Sequence, residues 1–418
     1  MNVSDDTHAN IRYYQQLRQQ TIGLTDNLSA EDMSAQSMPD ASPIKWHLAH
    51  TTWFFETFLL QPYYRGYHPF QVQFQHLFNS YYASVGSLHP RAERGLITRP
   101  TLSEILEYRH YVDEHICSLL ERDNDQVNQL LTVGLHHEMQ HQELMLTDIL
   151  HLMSRNPLFP AINTVSSSAR AGKFHMFEMQ EFEGGLIDVG SHSEGFSYDC
   201  ERPGFKTFLT PFALSSRLIT NGEWLEFIKD EGYQNSLLWL SDGWAQKQQQ
   251  HWLSPLYWHY MDGTWLEFGM NGMQTLNKDA PVRHISYYEA DAFARWANKR
   301  LPREHELEWC ASQQDQEISG NFLENNVWQP LPSDDTQPLN QLYGDVWEWT
   351  QSAFLPYPKF RAELGALGEY NGKFMINQMV LKGGSCVTPQ AQLRPSYRNF
   401  FYPHQRWQFS GLRLADDL

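Results

Sequence analysis

Cysteine is scarce: the 418-residue chain has four, Cys117, Cys200, Cys310 and Cys386, with no C-x-x-C pair among them. That spacing excludes a zinc ribbon and a dense disulfide framework, and the expectation is reduced structural thiols in a cytoplasmic protein. Long apolar runs are also missing. Nothing approaches the roughly 20 residues that span a bilayer, and Met1–Asn10 carries acids without an apolar stretch, so neither a membrane span nor a secretory leader is expected. Cations are the minority charge, with 31 Lys and Arg against 49 Asp and Glu and a net charge of −18. Such a balance repels phosphates and argues against nucleic acid or an anionic membrane as partner. Internal repeats and low-complexity tracts are absent as well.

Aromatic residues and helical periodicity are what the chain does have. Ile11–Leu24 repeats apolar residues at helical spacing, a polar loop covers Thr25–Ser42, and a second helix is predicted from Pro43 to Leu60. Residues 61–100 are irregular and rich in rings, including Tyr63, Tyr64, Phe74, Phe78, Tyr81 and Tyr82. A stretch of that length inside a compact domain is usually functional. Thr101-Leu-Ser-Glu104 is a capping box opening a third helix that ends near Arg122, and a fourth runs from Asp125 to Met153. Four helices suggest a bundle with ligands on facing helices. From about residue 175 the texture changes to Gly, Trp and Pro with short elements. Capping boxes fall at Thr220–Glu223 and Ser286–Glu289, and strand candidates at Gly185–Val189 and Met379–Lys382. The expected division is a helical domain over 1–155, a linker over 156–174 and an α+β domain over 175–418.

The chemistry concentrates in His137-Glu-Met-Gln-His141. At about 100° per residue, His137 and His141 lie about 40° apart on one helix face, so both imidazoles can reach one ion. Gln140 and Asp148 fall near that face on the same arithmetic. His47 and His50, three residues apart on the second helix, offer a third ligand, and spacing does not say which. The five residues also fit the H-E-x-x-H zinc-hydrolase pattern, with Glu138 as base. The metzincin extension fails, because Gln142-Glu-Leu-Met-Leu-Thr follows. Three neutral histidines suit zinc hydrolysis and iron–oxygen chemistry equally on ligand type.

Taken together, Ser42-Pro-Ile-Lys-Trp-His-Leu-Ala-His50 and Leu135-His-His-Glu-Met-Gln-His-Gln-Glu143 resemble the N-terminal, DinB-like four-helix domain of the ergothioneine-biosynthesis sulfoxide synthases. The second half resembles the formylglycine-generating-enzyme-like (C-type-lectin-like) fold. It does so through Arg300-Leu-Pro-Arg-Glu-His-Glu-Leu-Glu-Trp309, Gly344-Asp-Val-Trp-Glu-Trp-Thr350, Gly383-Gly-Ser385, Arg394-Pro-Ser-Tyr-Arg-Asn-Phe-Phe-Tyr-Pro403 and Gln408-Phe-Ser-Gly-Leu-Arg413. The resemblance spans nearly the whole chain. It implies a multi-domain α and α+β architecture and a non-haem Fe(II) enzyme that uses O2 to join the sulfur of cysteine to hercynine, the trimethylated histidine. It implies His50, His137 and His141 as iron ligands and Tyr81 and Tyr82 as catalytic residues of the cysteine-using subtype. It further implies Arg91 as partner of the thiol substrate's carboxylate, Gln140 beside hercynine, and Asn399, Phe400 and Phe401 as a closing loop. A structural calcium in the second domain stays open.

This assignment agrees with elementary chemistry. A thiolate is a soft anionic ligand that neutral histidines leave room for. A phenol holds its proton at neutral pH and can donate it, and a trimethylammonium group favours aromatic faces. Trp309, Trp347 and Trp349 read as core, Gly344, Gly383 and Gly384 as turns, and Arg300 and Arg413 as buried ion-pair partners. Rival readings are an ovothiol- or selenoneine-type synthase and a zinc hydrolase. A formylglycine-generating oxidase is disfavoured because Arg394–Arg413 contains no cysteine.

Overall fold

Four long helices carry the first part of the chain: α1 (Val3–Gly23), α2 (Ile44–Phe55), α3 (Leu102–Leu120) and α4 (Asp125–Ser154). The computed structural model describes residues 3–122, 124–163, 177–192, 195–314, 317–334 and 337–418. It comprises two units, Met1–Leu158 with Leu364–Tyr370, and Phe159–Glu363 with Asn371–Leu418. Most of the expected linker, residues 164–174, lies outside the described residues. The segment Leu364–Tyr370, which sequence places in 175–418, packs with the first unit.

The helix ends follow local chemistry. Thr101 caps α3 through a reciprocal pair: its hydroxyl accepts from Glu104 N, and Glu104 Oε2 accepts from Thr101 N at 2.7 Å. Asn124 caps α4 by accepting from the amides of Gln126 and Val127 at 2.9 and 3.3 Å. α1 begins well before Ile11, since the first turns of a helix need no apolar face for periodicity to reveal. The predicted second helix divides: every residue of α2 is buried, and the chain then widens into a π-helical turn at Glu56–Leu60. Such turns are frequent at functional sites. Gly134, mid-helix in α4, costs about 1 kcal/mol against alanine. A Cβ there would sit 2.5 Å from the Phe55 ring, so glycine is what lets α4 close on α2.

The four helices converge on one buried carboxylate. Glu138 of α4 accepts from Arg18 Nη1 at 2.7 Å, from Thr21 Oγ1 at 2.7 Å and from Arg109 Nη2. Arg18 also donates to Thr52 Oγ1 of α2 at 2.9 Å and to Asp113 of α3 at 2.8 Å. Burial by itself would push the Glu138 carboxyl up. Arg109, Arg18 and the Thr21 hydroxyl outweigh it and hold the group at about 2.

The second unit is built from short strands and helices. β1 (Met179–Phe182), β4 (Phe212–Ser215) and β12 (Ala415–Asp417) form one sheet, with β4 central. β2 (Gly185–Val189) pairs with β3 (Phe205–Leu209), and β5 (Trp258–Met261), β6 (Thr264–Gly269) and β7 (Gly272–Thr275) make a meander. The fourth sheet runs β10–β9–β8–β11, from Asn399–Phe401, Met379–Lys382, Trp347–Ala353 and Ser410–Gly411. Both capping boxes form, at Thr220 and Ser286. Arg413 lies fully buried, donating to Glu348 at 3.0 Å, to Ser215 O at 2.7 Å and to Asn340 O at 2.7 Å. Arg300 pairs with Glu306 at 2.8 Å. Trp347 and Trp349 are core, but Trp309 is half-exposed, because its helix, Glu304–Ser312, turns that side partly to solvent. Gly344, Gly383 and Gly384 adopt φ of 79°, 94° and 81°, as turns of this kind require.

Replacing Glu138 with Gln leaves two buried guanidiniums short of their counter-charge and should cost about 3–5 kcal/mol in chemical denaturation. The folded carboxyl titrates below its ordinary value of 4.5, so its contribution is complete above that pH and is lost as pH falls toward 2. The gap between wild type and variant should therefore narrow across that interval; a gap independent of pH would contradict the ion-pair account.

Candidate metal centre

α2 and α4 face each other across the first unit, and their histidines meet. His50, His137 and His141 are buried, and one ring nitrogen from each lies within 4.8 Å of the others. The Nε2 atoms of His50 and His137 are 3.1 Å apart. Two ligand nitrogens at right angles on one ion, each about 2.1 Å away, would be about 3 Å apart. His50 Nδ1 donates to Phe78 O at 2.6 Å, which leaves its Nε2 lone pair free to ligate. The rings of Trp46 and Trp53 stack on His50 with centroids 4.6 and 5.5 Å away, and Phe54 lies 4.6 Å from His137.

Burial keeps all of these imidazoles neutral. It presses His137 down to about 3 and drives His50 and His141 well below their ordinary value, with neighbouring imidazoles adding to the effect. Neutral imidazole is the form that binds a metal. The donor set therefore fits a divalent transition ion held by three nitrogens with further positions left for small ligands. Of His47 and His50, it is His50 that groups with His137 and His141. His47 turns the other way, its Nδ1 2.8 Å from His141 Nδ1 and its Nε2 3.0 Å from Asp148 Oδ2. Glu138, the would-be base of a zinc hydrolase, is engaged by Arg18, Arg109 and Thr21.

The ring-rich stretch after the π turn delivers the tyrosines. Phe78 supplies the carbonyl that orients His50. Asn79 then clamps Tyr82, accepting from its N–H at 3.1 Å and donating to its carbonyl at 3.0 Å. Tyr82 is fully buried among Trp53, Phe54 and Phe58, and Tyr81 stacks on it at 4.6 Å with the two hydroxyls 3.4 Å apart. Tyr370, which sequence reasoning missed, arrives on the returning segment Leu364–Tyr370. Its hydroxyl donates to Gln140 Oε1, and its ring lies 5.9 Å from His137 and 6.2 Å from Tyr81. The preceding Glu369 anchors the segment by accepting from Ser84 N at 2.9 Å and Ala83 N at 3.1 Å. No local signal marks Tyr370, since its role depends on a contact 230 residues away in sequence.

Arg91 opens a 3-10 helix, Arg91–Leu96, with its side chain exposed. One turn on, Arg94 is buried with its guanidinium 3.4 Å over the Trp46 ring and donates to Ser42 Oγ at 2.9 Å. Its Nε lacks a hydrogen-bond partner. Burial, reinforced by Arg91, lowers it to about 9, still a cation at neutral pH. Asn399, Phe400 and Phe401 form β10 of the second unit, half-buried, with Phe400 stacked on Phe354 at 4.0 Å.

A helical unit holding three buried imidazoles, followed by an irregular α+β unit, defines a two-domain class whose halves both match known families. Residues 13–145 match the DinB superfamily, and residues 167–418 match the sulfatase-modifying factor enzyme 1-like domain. Over 435 residues the chain is 31% identical to hercynine oxygenase of Mycobacterium tuberculosis, covering 96% of this chain and 97% of the relative. It is 29% identical to hercynine oxygenase of Mycolicibacterium thermoresistibile, at 96% and 93% coverage. A shorter match, 26% over 231 residues, is to ergothioneine biosynthesis protein 1 of Schizosaccharomyces pombe. The chain belongs to the hercynine oxygenase family and is an oxidoreductase.

Replacing His137 with Ala should abolish stoichiometric Fe(II) uptake in anaerobic titration while the helical circular dichroism persists. Undiminished iron content in that variant would refute the ligand set.

Proposed function

We propose that this protein is an Fe(II)-dependent sulfoxide synthase that joins the sulfur of cysteine to hercynine, forming hercynylcysteine sulfoxide on the way to ergothioneine. The observation that carries the reading is the buried, neutral three-histidine cluster beside stacked tyrosines, in a chain alignable end to end with hercynine oxygenases. The reaction balances. The imidazole C–H and the thiol S–H are lost, a C–S bond and an S–O bond form, and O2 accepts four electrons, one oxygen leaving as water. Iron held by His50, His137 and His141 would supply the one place where thiolate, imidazole and O2 are brought together.

The chain's own residues supply binding and protons. Gln140, pinned by the Tyr370 hydroxyl, offers its amide N–H2 to the imidazole co-substrate. The carboxylate of cysteine is met by a cation of the 3-10 helix: Arg91, exposed, with Arg94 buried behind it on Trp46. Asn399, Phe400 and Phe401 are assigned to the trimethylammonium end, where aromatic faces suit a cation that cannot donate hydrogen bonds. Tyr82, positioned by Asn79 and in hydroxyl reach of Tyr81, holds the proton delivered during sulfur oxygenation. Burial excludes bulk water that would compete for that step. Phe400-Phe401 after Asn399 favours free cysteine over a γ-glutamyl donor, as the resemblance to the cysteine-using subtype implies.

Purified protein with Fe(II), hercynine and cysteine should consume oxygen and yield the sulfoxide by mass spectrometry. A thiol panel should rank cysteine above γ-glutamylcysteine. Peptide hydrolysis with zinc, and no turnover with iron and hercynine, would overturn the assignment. Tyr82→Phe should slow sulfoxide formation about 100-fold while simple thiol oxidation continues; an unchanged product ratio would remove Tyr82 from proton transfer.

A further inference from the structure

Behind the metal-facing histidines lies a second polar chain that the reaction does not use. His141 Nδ1 lies 2.8 Å from His47 Nδ1, His47 Nε2 lies 3.0 Å from Asp148 Oδ2, and the same Asp148 oxygen accepts from Ser42 N at 2.7 Å. All of these side chains are buried. We propose that Asp148 and His47 are positioning residues that act through His141, forming a carboxylate–imidazole–imidazole relay that directs the Nε2 lone pair of His141 at the metal. This rests on the reading of His141 as a ligand.

The direction of the relay follows from what each atom can do. A carboxylate already holding a backbone N–H at Oδ2 is an acceptor, so the His47 nitrogen facing it carries the hydrogen. Neutral His47 then has a lone pair on Nδ1. That lone pair must be met by a donor, which is the Nδ1–H of His141. With its hydrogen on Nδ1, His141 has its lone pair on Nε2, in a ring whose centroid lies 4.7 and 4.6 Å from those of His50 and His137. In the reverse arrangement a bare His47 nitrogen would oppose a carboxylate oxygen in a buried site, which is strongly unfavourable. Asp148 also anchors the N-terminus of α2 through Ser42 N, so the group that orients His141 on α4 sets the depth of the helix bearing His50. One carboxylate thus holds two ligand-bearing helices in register. Outer partners of this kind typically govern metal affinity by about 10–100-fold.

His47→Gln and His47→Leu distinguish this from plain packing. A glutamine can accept from His141 with its amide oxygen and donate to Asp148 with its amide nitrogen, whereas leucine fills the space with neither. His47→Leu should weaken Fe(II) binding, measured anaerobically by chelator competition, about 10–100-fold, and shift the visible bands of the Co(II)-substituted protein. His47→Gln should lose less than about tenfold and keep those bands. Leucine matching wild type, or glutamine failing as badly as leucine, overturns the proposal. Should either variant fail to fold by thermal melting, side-chain nitrogen NMR of metal-free wild type decides. The relay requires His141 in the Nδ1–H form and His47 in the Nε2–H form, and the opposite pair refutes it. Wild type that binds no Fe(II) while showing these tautomers would instead refute the ligand assignment and leave the hydrogen-bond chain standing.

Discussion

A buried carboxylate one residue from His137, a member of the candidate metal cluster, organises the helical unit. Glu138 has no contact with solvent, and its charge persists because Arg18 from α1 and Arg109 from α3 close on it. Removing either cation would leave a charge that low dielectric penalises heavily. The cluster therefore specifies how three helices meet, and the Thr51 and Thr52 hydroxyls bring in the fourth. His137 is set by this arrangement, since its neighbour on α4 cannot move without breaking the cluster. The metal face and the charge face of α4 are two sides of one helix. Rigid placement of one fixes the other.

The residue that a hydrolase would use as its base is here the structural anchor, and that bears directly on chemistry. An H-E-x-x-H segment acts as a protease motif when the glutamate faces the metal-bound water. In this protein both Glu138 oxygens are taken by cations and a hydroxyl. What lies beside the cluster instead is aromatic and phenolic: Tyr370 next to His137, with Tyr81 against Tyr370 and stacked on Tyr82. Phenols hold their protons at neutral pH and are poor general bases, which suits the proposed oxygen chemistry better than hydrolysis.

The second unit depends on buried cation–carboxylate pairs in place of long elements. Arg413–Glu348, Arg398–Glu304 and Lys382–Glu308 each join segments distant in sequence, at 3.0, 2.8 and 3.1 Å. Strands as short as β10 and β11 bury little apolar area alone, so these pairs and the tryptophan core hold the sheets together. β10 is thereby presented at the edge of its sheet, bonded among the described residues to β9, with Asn399, Phe400 and Phe401 half-buried.

Much of this was legible in the sequence wherever the cause is local. Capping boxes at Thr101, Thr220 and Ser286 depend on residues three apart, and the strands Gly185–Val189 and Met379–Lys382 follow from short apolar runs. The four-residue spacing of His137 and His141 alone puts them on one face. Long-range geometry was not legible. Whether His47 or His50 joins the cluster depends on which ring meets His137 and which is turned to Asp148, and spacing along the second helix does not distinguish them. Glu138 as anchor depends on arginines 120 and 29 residues away, and Tyr370 depends on a segment that returns to the first unit after the second has begun. Sequence by itself determined the helices, the caps and the chemical types available for a metal centre, because short-range sterics and hydrogen bonding act within a few residues. Only the tertiary structure showed how His50, His137 and His141 cluster, how His47 is turned to a carboxylate, and how Tyr370 comes beside His137, because those contacts are made by buried groups that must find partners across the fold.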